Sequence, residues 1–290
     1  MRSAYRLLLT AVVLVWALAL SGCMKDLVVI HVEPDGSGQI HETLELNTEL
    51  TDLAVEGVAG ALGGQPGEKT ETPAINWQES ARQRASQYGP GVVFMDATED
   101  KQEGWWIGKA VYSFSDVTKL NPPQPQQQAE AAPPGDMNFN IGTEHVLLLG
   151  NFDLRRLDDA TSELTIRMPP PKEEKPTEKP EEQAQEGAPG PEEPPLEFFK
   201  QIFKGMEMGV AVECGQEVLA SNATYREGNH VTLLHLSFDE IMALLGDPAK
   251  LKQLEQLMPE PKNLQEAQEA LRHIEGVKIE IQPEVTVKFR

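Results

Sequence analysis

The sequence predicts an α+β fold, with a largely antiparallel sheet and helices packed on one face of it. Runs of alternating apolar and polar residues are joined by glycine- and aspartate-rich turns, which is typical of β-hairpins. Shorter segments carry apolar residues three or four positions apart, which is typical of amphipathic helices. An acidic segment rich in proline and glutamate, residues 169–195, interrupts this pattern. We predict that it is disordered, because it cannot bury enough apolar surface to offset its ordering entropy.

The first hairpin is predicted on the two sides of the turn sequence DGSG, where a three-residue loop, residues 36–38, would pair Asp35 with Gln39. Even-numbered residues would then face the core, because successive side chains of a strand point to opposite faces. Glu42 is the polar exception in this set. Its apolar members are Val28, Ile30, Val32, Ile40, Leu44 and Leu46.

His31 and His41 fall on the opposite, solvent-facing side of the same hairpin. Together with Glu33 and Glu45 they could form a weak metal site, but a pair of surface histidines is the commoner arrangement. The sequence HETLE also lacks the second histidine of the zinc-binding helix motif. We therefore assign no metal-binding residues.

Four further elements and a second hairpin are predicted before the acidic segment. Residues 47–63 and 77–88 fit short helices, and residues 91–97 and 105–114 fit strands. The sequence DDA beginning at Asp158 is the turn of the second hairpin.

The strand WWIGKAVYSF, residues 105–114, is apolar on both faces. Such a strand is either buried on both sides or has one face that lines a pocket. Trp105, Trp106, Tyr112 and Phe114 are therefore candidates for an apolar ligand pocket, and a role in the core is the alternative for these aromatic residues.

The chain after the acidic segment begins with apolar residues at helical spacing in 196–206, which predicts a helix that covers the sheet or, less commonly, lies on a membrane surface. Residues 208–238 are predicted to form a three-stranded meander. Residues 238–245 fit a helix, and two more helices are expected, one starting at Asp247 and one over 263–274.

The C-terminal residues 277–290 are predicted to be a strand pair or an edge strand, since Pro283 has no N–H to donate to a central ladder.

We favour one composite domain, built from residues 23–168 and 196–290 and interrupted by the disordered linker 169–195. The strands before the linker have no obvious helix partner, and the helix at 196–206 would supply one.

Residues 1–22 resemble an export signal, with Arg2 and Arg6 before an apolar run that ends at Leu20. Leu20-Ser21-Gly22-Cys23 resembles a bacterial lipobox, in which a signal peptidase cuts before the cysteine and the thiol receives a diacylglycerol. The resemblance implies lipid attachment at Cys23 and a location on the extracytoplasmic face of an envelope membrane, the outer membrane in an organism with two. A plain secretory signal is the alternative. Acylated Cys23 would leave Cys214 without an intrachain disulfide partner.

The chain is strongly acidic, with a formal net charge of −21 that becomes −23 once the two leader arginines are removed. A field of this sign repels nucleic acids and anionic lipid headgroups. Nucleic acid is therefore excluded as a partner.

Sequence motifs for catalysis or cofactor binding are absent: there is no nucleophile elbow, phosphate-binding loop, dinucleotide fingerprint or zinc-protease motif. Cys214 with His230 or His235 could be imagined as a thiol–imidazole pair, but an inert, half-buried cysteine is the better interpretation. We assign no catalytic residues and no cofactor.

Several short stretches resemble the LppM-like group of uncharacterised bacterial envelope lipoproteins. They are the lipobox, the strand leading to DGSG at 35–38, the strand at 104–114, and GQEVLASNA at 215–223 followed by EGNHVTL at 227–233. The glycine and Val218 lie one residue further apart than in that family, and residues 168–195 and the C-terminal helices depart from its pattern. The resemblance implies an α+β domain at an envelope membrane and allows a hydrophobic ligand. It supplies no catalytic residues.

We therefore expect a membrane-anchored extracytoplasmic lipoprotein with a non-enzymatic binding or scaffolding role in the cell envelope, whose partner would be a hydrophobic ligand or an envelope protein. An envelope hydrolase whose site is not recognisable from sequence is the alternative.

Overall fold

The computed structural model describes residues 24–48, 76–120, 151–168, 200, 203–247, 249–250, 252 and 274–290. This part of the chain is mostly sheet with two short helices, α1 (Trp77–Arg84) and α2 (Phe238–Leu245). Its twelve strands, in chain order, are β1 (Met24–Val32), β2 (Gly38–Asn47), β3 (Val93–Gln102), β4 (Trp105–Phe114), β5 (Asn151–Arg156), β6 (Ser162–Arg167), β7 (Glu207–Cys214), β8 (Val218–Ser221), β9 (Arg226–Glu227), β10 (His230–Ser237), β11 (Val277–Ile279) and β12 (Glu284–Phe289).

The strands form two sheets rather than the single sheet that the sequence predicts. The first has eight strands in the order β11-β10-β7-β1-β2-β4-β3, with β9 paired to β10. This sheet is mixed, because β1 and β7 run parallel whereas every other pair of neighbouring strands in it is antiparallel. The second has four antiparallel strands in the order β5-β6-β12-β8. Strands that precede and follow residues 169–195 are neighbours in both sheets.

The first hairpin has a longer loop than predicted. Val32 pairs with Gly38 and His31 with Gln39, so the loop runs from Glu33 to Ser37 and the predicted pairing of Asp35 with Gln39 is wrong. Asp35 closes this loop instead, since its Oδ1 accepts hydrogen bonds from the backbone N and the Oγ of Ser37.

The predicted faces of this hairpin are confirmed, because the register differs from the prediction by an even number of residues and so leaves each side chain on the same face. The apolar even-numbered residues are at most 5 % exposed. Glu42 is buried with them, at 1 % exposure.

The predicted meander over 208–238 is wrong in its middle strand. β7 and β10 are neighbours in the first sheet, but β8 pairs with β12 in the second. The chain leaves the first sheet at Gly215, whose N–H donates to Val32 and whose φ of 50° favours glycine. The next residue donates to Arg290, which places β8 beside the C-terminal strand.

The C-terminal strands do not pair with each other. β11 pairs with β10 in the first sheet, and β12 is central in the second, between β6 and β8. The predicted strand pair is therefore wrong, whereas the predicted edge position holds for β11 but not for β12. Pro283 lies just before β12, so its missing N–H removes no ladder bond from that central strand. Its carbonyl accepts a hydrogen bond from Met168.

One large core joins the two sheets and α1. It contains Tyr112 and Val212 of the first sheet, Leu164 and Phe289 of the second, and Trp77 of α1. A second cluster holds α2 through Phe238 and Met242, which pack with Phe203 and Met206. The helix predicted over 238–245 is confirmed, and α1 agrees with the helix predicted over 77–88 except that its last turn is a 3₁₀ turn over Ala85–Gln87.

Several predictions concern residues outside the described part of the chain. These are the leader and Cys23, most of the helix at 47–63, the linker 169–195, and most of the helices after Asp247 and over 263–274. Asp247 itself accepts hydrogen bonds from the N–H groups of Ala249 and Lys250, as a helix N-cap does. Of the helix predicted at 196–206, Lys200 is helical, whereas residues 203–206 form a turn, with Gly205 at a φ of 75°.

Candidate functional site

The four aromatic residues proposed for a ligand pocket are divided between the two faces of β4. Trp106, Tyr112 and Phe114 belong to the large core and are 5 %, 0 % and 5 % exposed. Trp105 lies on the opposite face, because odd- and even-numbered residues of a strand alternate. The structure therefore brings three of the residues together in the core and leaves Trp105 at the surface.

Trp105 lines a surface groove of about 880 Å³, which we call the Trp105 trough. Its floor crosses neighbouring strands of the first sheet at the end where β1 begins, since Lys25 pairs with both Glu45 and Glu207, and Glu45 pairs with Ile107. The complete lining is Lys25, Glu45, Gln102, Glu103, Trp105, Ile107, Gly205, Met206, Glu207, Ser237 and Asp239.

One wall of the trough is the turn at 203–206. The Gly205 N–H donates to Asp239 Oδ1 at 2.9 Å, and the Met206 carbonyl accepts from the Phe238 N–H at 3.0 Å, so α2 holds this turn in place. A Cβ on Gly205 would lie 3.3 Å from the Trp105 ring. The absence of a side chain at 205 lets the turn approach the indole closely.

Lys25 contacts two other residues of the trough lining. Its Nζ lies 5.4 Å from the centroid of the Trp105 ring and 3.0 Å from Glu45 Oε2. At the far side, Glu207 Oε1 lies 3.5 Å from His235 Nδ1. The trough thus combines an aromatic face, several carboxylates and one ammonium group.

A buried polar cluster lies on the other face of the sheet. Arg84 Nη1 of α1 lies 3.0 Å from Glu42 Oε1, and Glu42 Oε2 accepts a hydrogen bond of 2.8 Å from the Tyr112 hydroxyl. The Arg84 guanidinium also stacks 4.3 Å from the centroid of the Trp77 ring. Buried Asp26 is an electrostatic neighbour of Glu42.

Burial is the main cause of the raised pKa values in this cluster. Loss of solvation raises the pKa of Glu42 to about 7, against the opposing effect of the Arg84 charge. Burial also raises the pKa of Tyr88 and Tyr112 well above the ordinary value. Sequence reasoning identified Glu42 as the polar exception on the core face of the first hairpin but missed Asp26, which is buried on the same face. It also did not find the partner of Glu42, because Arg84 has no sequence signal that points to the sheet.

The surface histidines gather around one carboxylate. His31 Nδ1 lies 2.8 Å from Glu213 Oε2, and His230 Nδ1 lies 3.1 Å from Glu213 Oε1. The rings of His31 and His41 touch, with centroids 4.5 Å apart. Among the residues that the structure describes, no three histidine, cysteine or carboxylate groups are arranged around a common metal position.

Cys214 lies in the core and has no sulfur partner among the residues that the structure describes. Burial raises the pKa of its thiol to about 12, so it is a poor nucleophile near neutral pH. His230 contacts Glu213, whose side chain points to the opposite face of β7. The structure therefore does not bring Cys214 and His230 together as a thiol–imidazole pair.

Within the described ranges, no helix combines the length and apolar composition needed to cross a bilayer.

Comparison with known proteins gives one distant structural likeness. No family model and no curated protein matches the chain. The chain is similar to the NMR structure of the folded domain of the Mycobacterium tuberculosis LppM protein, with a TM-score of 0.31 and 12 % sequence identity over 93 % of this chain and 91 % of that one. At this level the likeness identifies no function.

Proposed function

We propose that this chain is a lipid-anchored extracytoplasmic lipoprotein of the bacterial cell envelope, attached through Cys23, which binds a ligand or an envelope protein without catalysing a reaction. One observation carries the binding role: the Trp105 trough lies at the end of the first sheet where β1 starts, and β1 starts at Met24, one residue after the proposed anchor. A site in this position would be held at the membrane surface.

The lipobox-like sequence LSGC and the leader before it support the anchor. Two or more acyl chains on one cysteine would hold a folded domain at a bilayer stably, whereas a single chain gives only marginal binding. The mature chain would then need no spanning helix.

Of the four aromatic residues proposed for the ligand pocket, Trp105 alone lies on the surface side of β4, so we retain it as the pocket residue. Trp106, Tyr112 and Phe114 would serve this pocket indirectly, by fixing β4 against the core. Binding is favoured over hydrolysis because Cys214 is buried with a raised pKa, away from the surface histidines.

Mass spectrometry of the mature protein, isolated with native lipids from its own envelope, tests this proposal. We expect an N-terminus at Cys23 that carries a diacylglycerol, and retention of the protein in the membrane fraction. A Cys23→Ala variant is the matched control and should be neither acylated nor retained. A mature N-terminus at another residue would refute the anchor.

A further inference from the structure

We propose that the Trp105 trough binds an alkylammonium group, carried by a small amine or by a zwitterionic lipid headgroup, and that Lys25 occupies this position when no ligand is bound. The proposal names the ligand class of the site proposed above and rests on that proposed function.

The first support is the geometry around Lys25. Its ammonium nitrogen lies 5.4 Å from the centroid of the Trp105 ring and 3.0 Å from Glu45 Oε2. An aromatic face within about 6 Å of a cation, together with a carboxylate, is the arrangement by which proteins recognise ammonium ligands. The side chain of Lys25 is therefore bound as such a ligand would be.

The second support is that Lys25 can be displaced. The Lys25 and Glu45 side chains are 32 % and 23 % exposed, so the ion pair is open to solvent. Partly exposed pairs of this kind contribute little to stability, and lysine has a long and flexible side chain. A ligand ammonium can take the place of Nζ without moving a strand.

The third support is the charge of the lining. It contains four carboxylates, Glu45, Glu103, Glu207 and Asp239, and a single lysine, Lys25. A concave site with this excess of negative charge attracts cations and repels free anions. A zwitterionic headgroup is compatible with the site, because displaced Lys25 would remain close enough to meet the phosphate.

The location of the trough agrees with a ligand at a membrane surface. Lys25 follows Cys23 by two residues, which span at most about 7 Å of extended chain. An acylated Cys23 would therefore keep the trough within reach of lipid headgroups, while soluble amines of the envelope would also have access.

Binding can be measured on the mature chain, residues 23–290, carrying Cys23→Ser, which lacks the apolar leader and cannot be acylated at that position. Calorimetric titration with choline and with ethanolamine tests soluble amines. Sedimentation with vesicles that contain phosphatidylethanolamine, compared with vesicles that contain phosphatidylglycerol, tests lipid-borne amines. Binding of either amine source, with no binding of phosphatidylglycerol, supports the proposal, and the responding arm identifies the source.

Substitutions at Trp105 and at Lys25 should change the affinity in opposite directions. Trp105→Ala should weaken binding about tenfold, since it removes the cation–π contact, and Trp105→Phe should retain most of the affinity. Lys25→Met should strengthen binding severalfold, because the internal competitor is gone. Glu33→Gln, at the other end of β1 and outside the lining, is the control and should leave affinity unchanged.

Three results would overturn the proposal: no binding of either amine source, weaker binding by Lys25→Met, or equal affinity of Trp105→Ala and the parent chain. Loss of amine binding in a protein that carries lipid at Cys23 would remove the ligand assignment and leave the anchor standing. Amine binding by a protein that is isolated from its envelope without lipid at Cys23 would support the ligand assignment and refute the anchor.

Discussion

Arg84 of α1 and Glu42 of β2 form an ion pair of 3.0 Å, although their side chains are only 7 % and 0 % exposed. The pair joins the helix to the sheet beneath it, with Trp77 stacked on the guanidinium. Since each charge compensates the desolvation of the other, removal of one partner leaves an uncompensated charge in the core.

Arg84→Met should lower the free energy of unfolding by about 3 kcal/mol at pH 8, where Glu42 is ionised. Urea denaturation measures this change. Arg82→Met, which breaks the exposed pair of Arg82 with Glu79 on the same helix, is the matched control and should cost less than about 1 kcal/mol. Equal losses in the two variants would contradict the structural role of the buried pair.

The pH dependence of stability should contain a contribution from Glu42. Its pKa is about 7 in the folded protein against an ordinary value of 4.5, so between these limits the folded state binds more protons than the unfolded state. The contribution of Glu42 to the free energy of unfolding therefore falls as the pH rises from 4.5 to 7, by roughly 3 kcal/mol in total.

Glu42→Gln should remove this fall, and urea midpoints at pH 5, 6, 7 and 8 would measure it. Glu45→Gln, on the same strand but partly exposed, should keep the slope of the parent chain. Parallel profiles for the parent chain and Glu42→Gln would show that Glu42 does not titrate in this range.

The Cys214 thiol should resist alkylation in the folded protein, because it is buried and its pKa is raised to about 12. In a Cys23→Ser background, iodoacetamide at pH 8 should label Cys214 only after urea is added. Mass spectrometry gives the labelled fraction under both conditions. Complete labelling without denaturant would place the thiol at an accessible surface and contradict the core packing.

Gly38→Ala should destabilise the first hairpin by about 3 kcal/mol, since a Cβ at this position would lie 1.9 Å from the backbone carbonyl oxygen of His31. Gly246→Ala is the control, because its nearest contact would be the flexible end of Lys200 at 3.1 Å. Thermal unfolding of both variants compares them. A loss for Gly38→Ala no larger than that for Gly246→Ala would contradict the close approach of the two strands at Gly38.

Individual strands, helices and turns could be predicted, because the spacing of apolar residues and the turn residues that mark them lie within each segment. β4 and α2 have the predicted limits, and the turn at Asp158 forms as expected, with Asp158 Oδ1 accepting from the Ala160 and Thr161 N–H groups. Alternation of apolar residues also determined which side of β1 and β2 is buried, because the side-chain period of a strand is independent of its neighbours.

Only the tertiary structure decided which strands are neighbours. β1 lies parallel to β7, and β8 pairs with β12 in the second sheet, although no motif in these strands names the partner of either one. Pairing depends on how distant segments fit one core, and the periodicity of a single segment carries no information about its partner.

The candidate site, like the fold, was determined partly by local sequence and partly by tertiary structure. The sequence by itself determined that β4 carries aromatic residues on both faces and that Glu42 is a polar residue on a core face. The meeting of Lys25 with Trp105, and of Glu42 with Arg84, was decided by the tertiary structure. Both contacts join residues far apart in the chain, and their geometry exists only after the sheet and α1 have assembled.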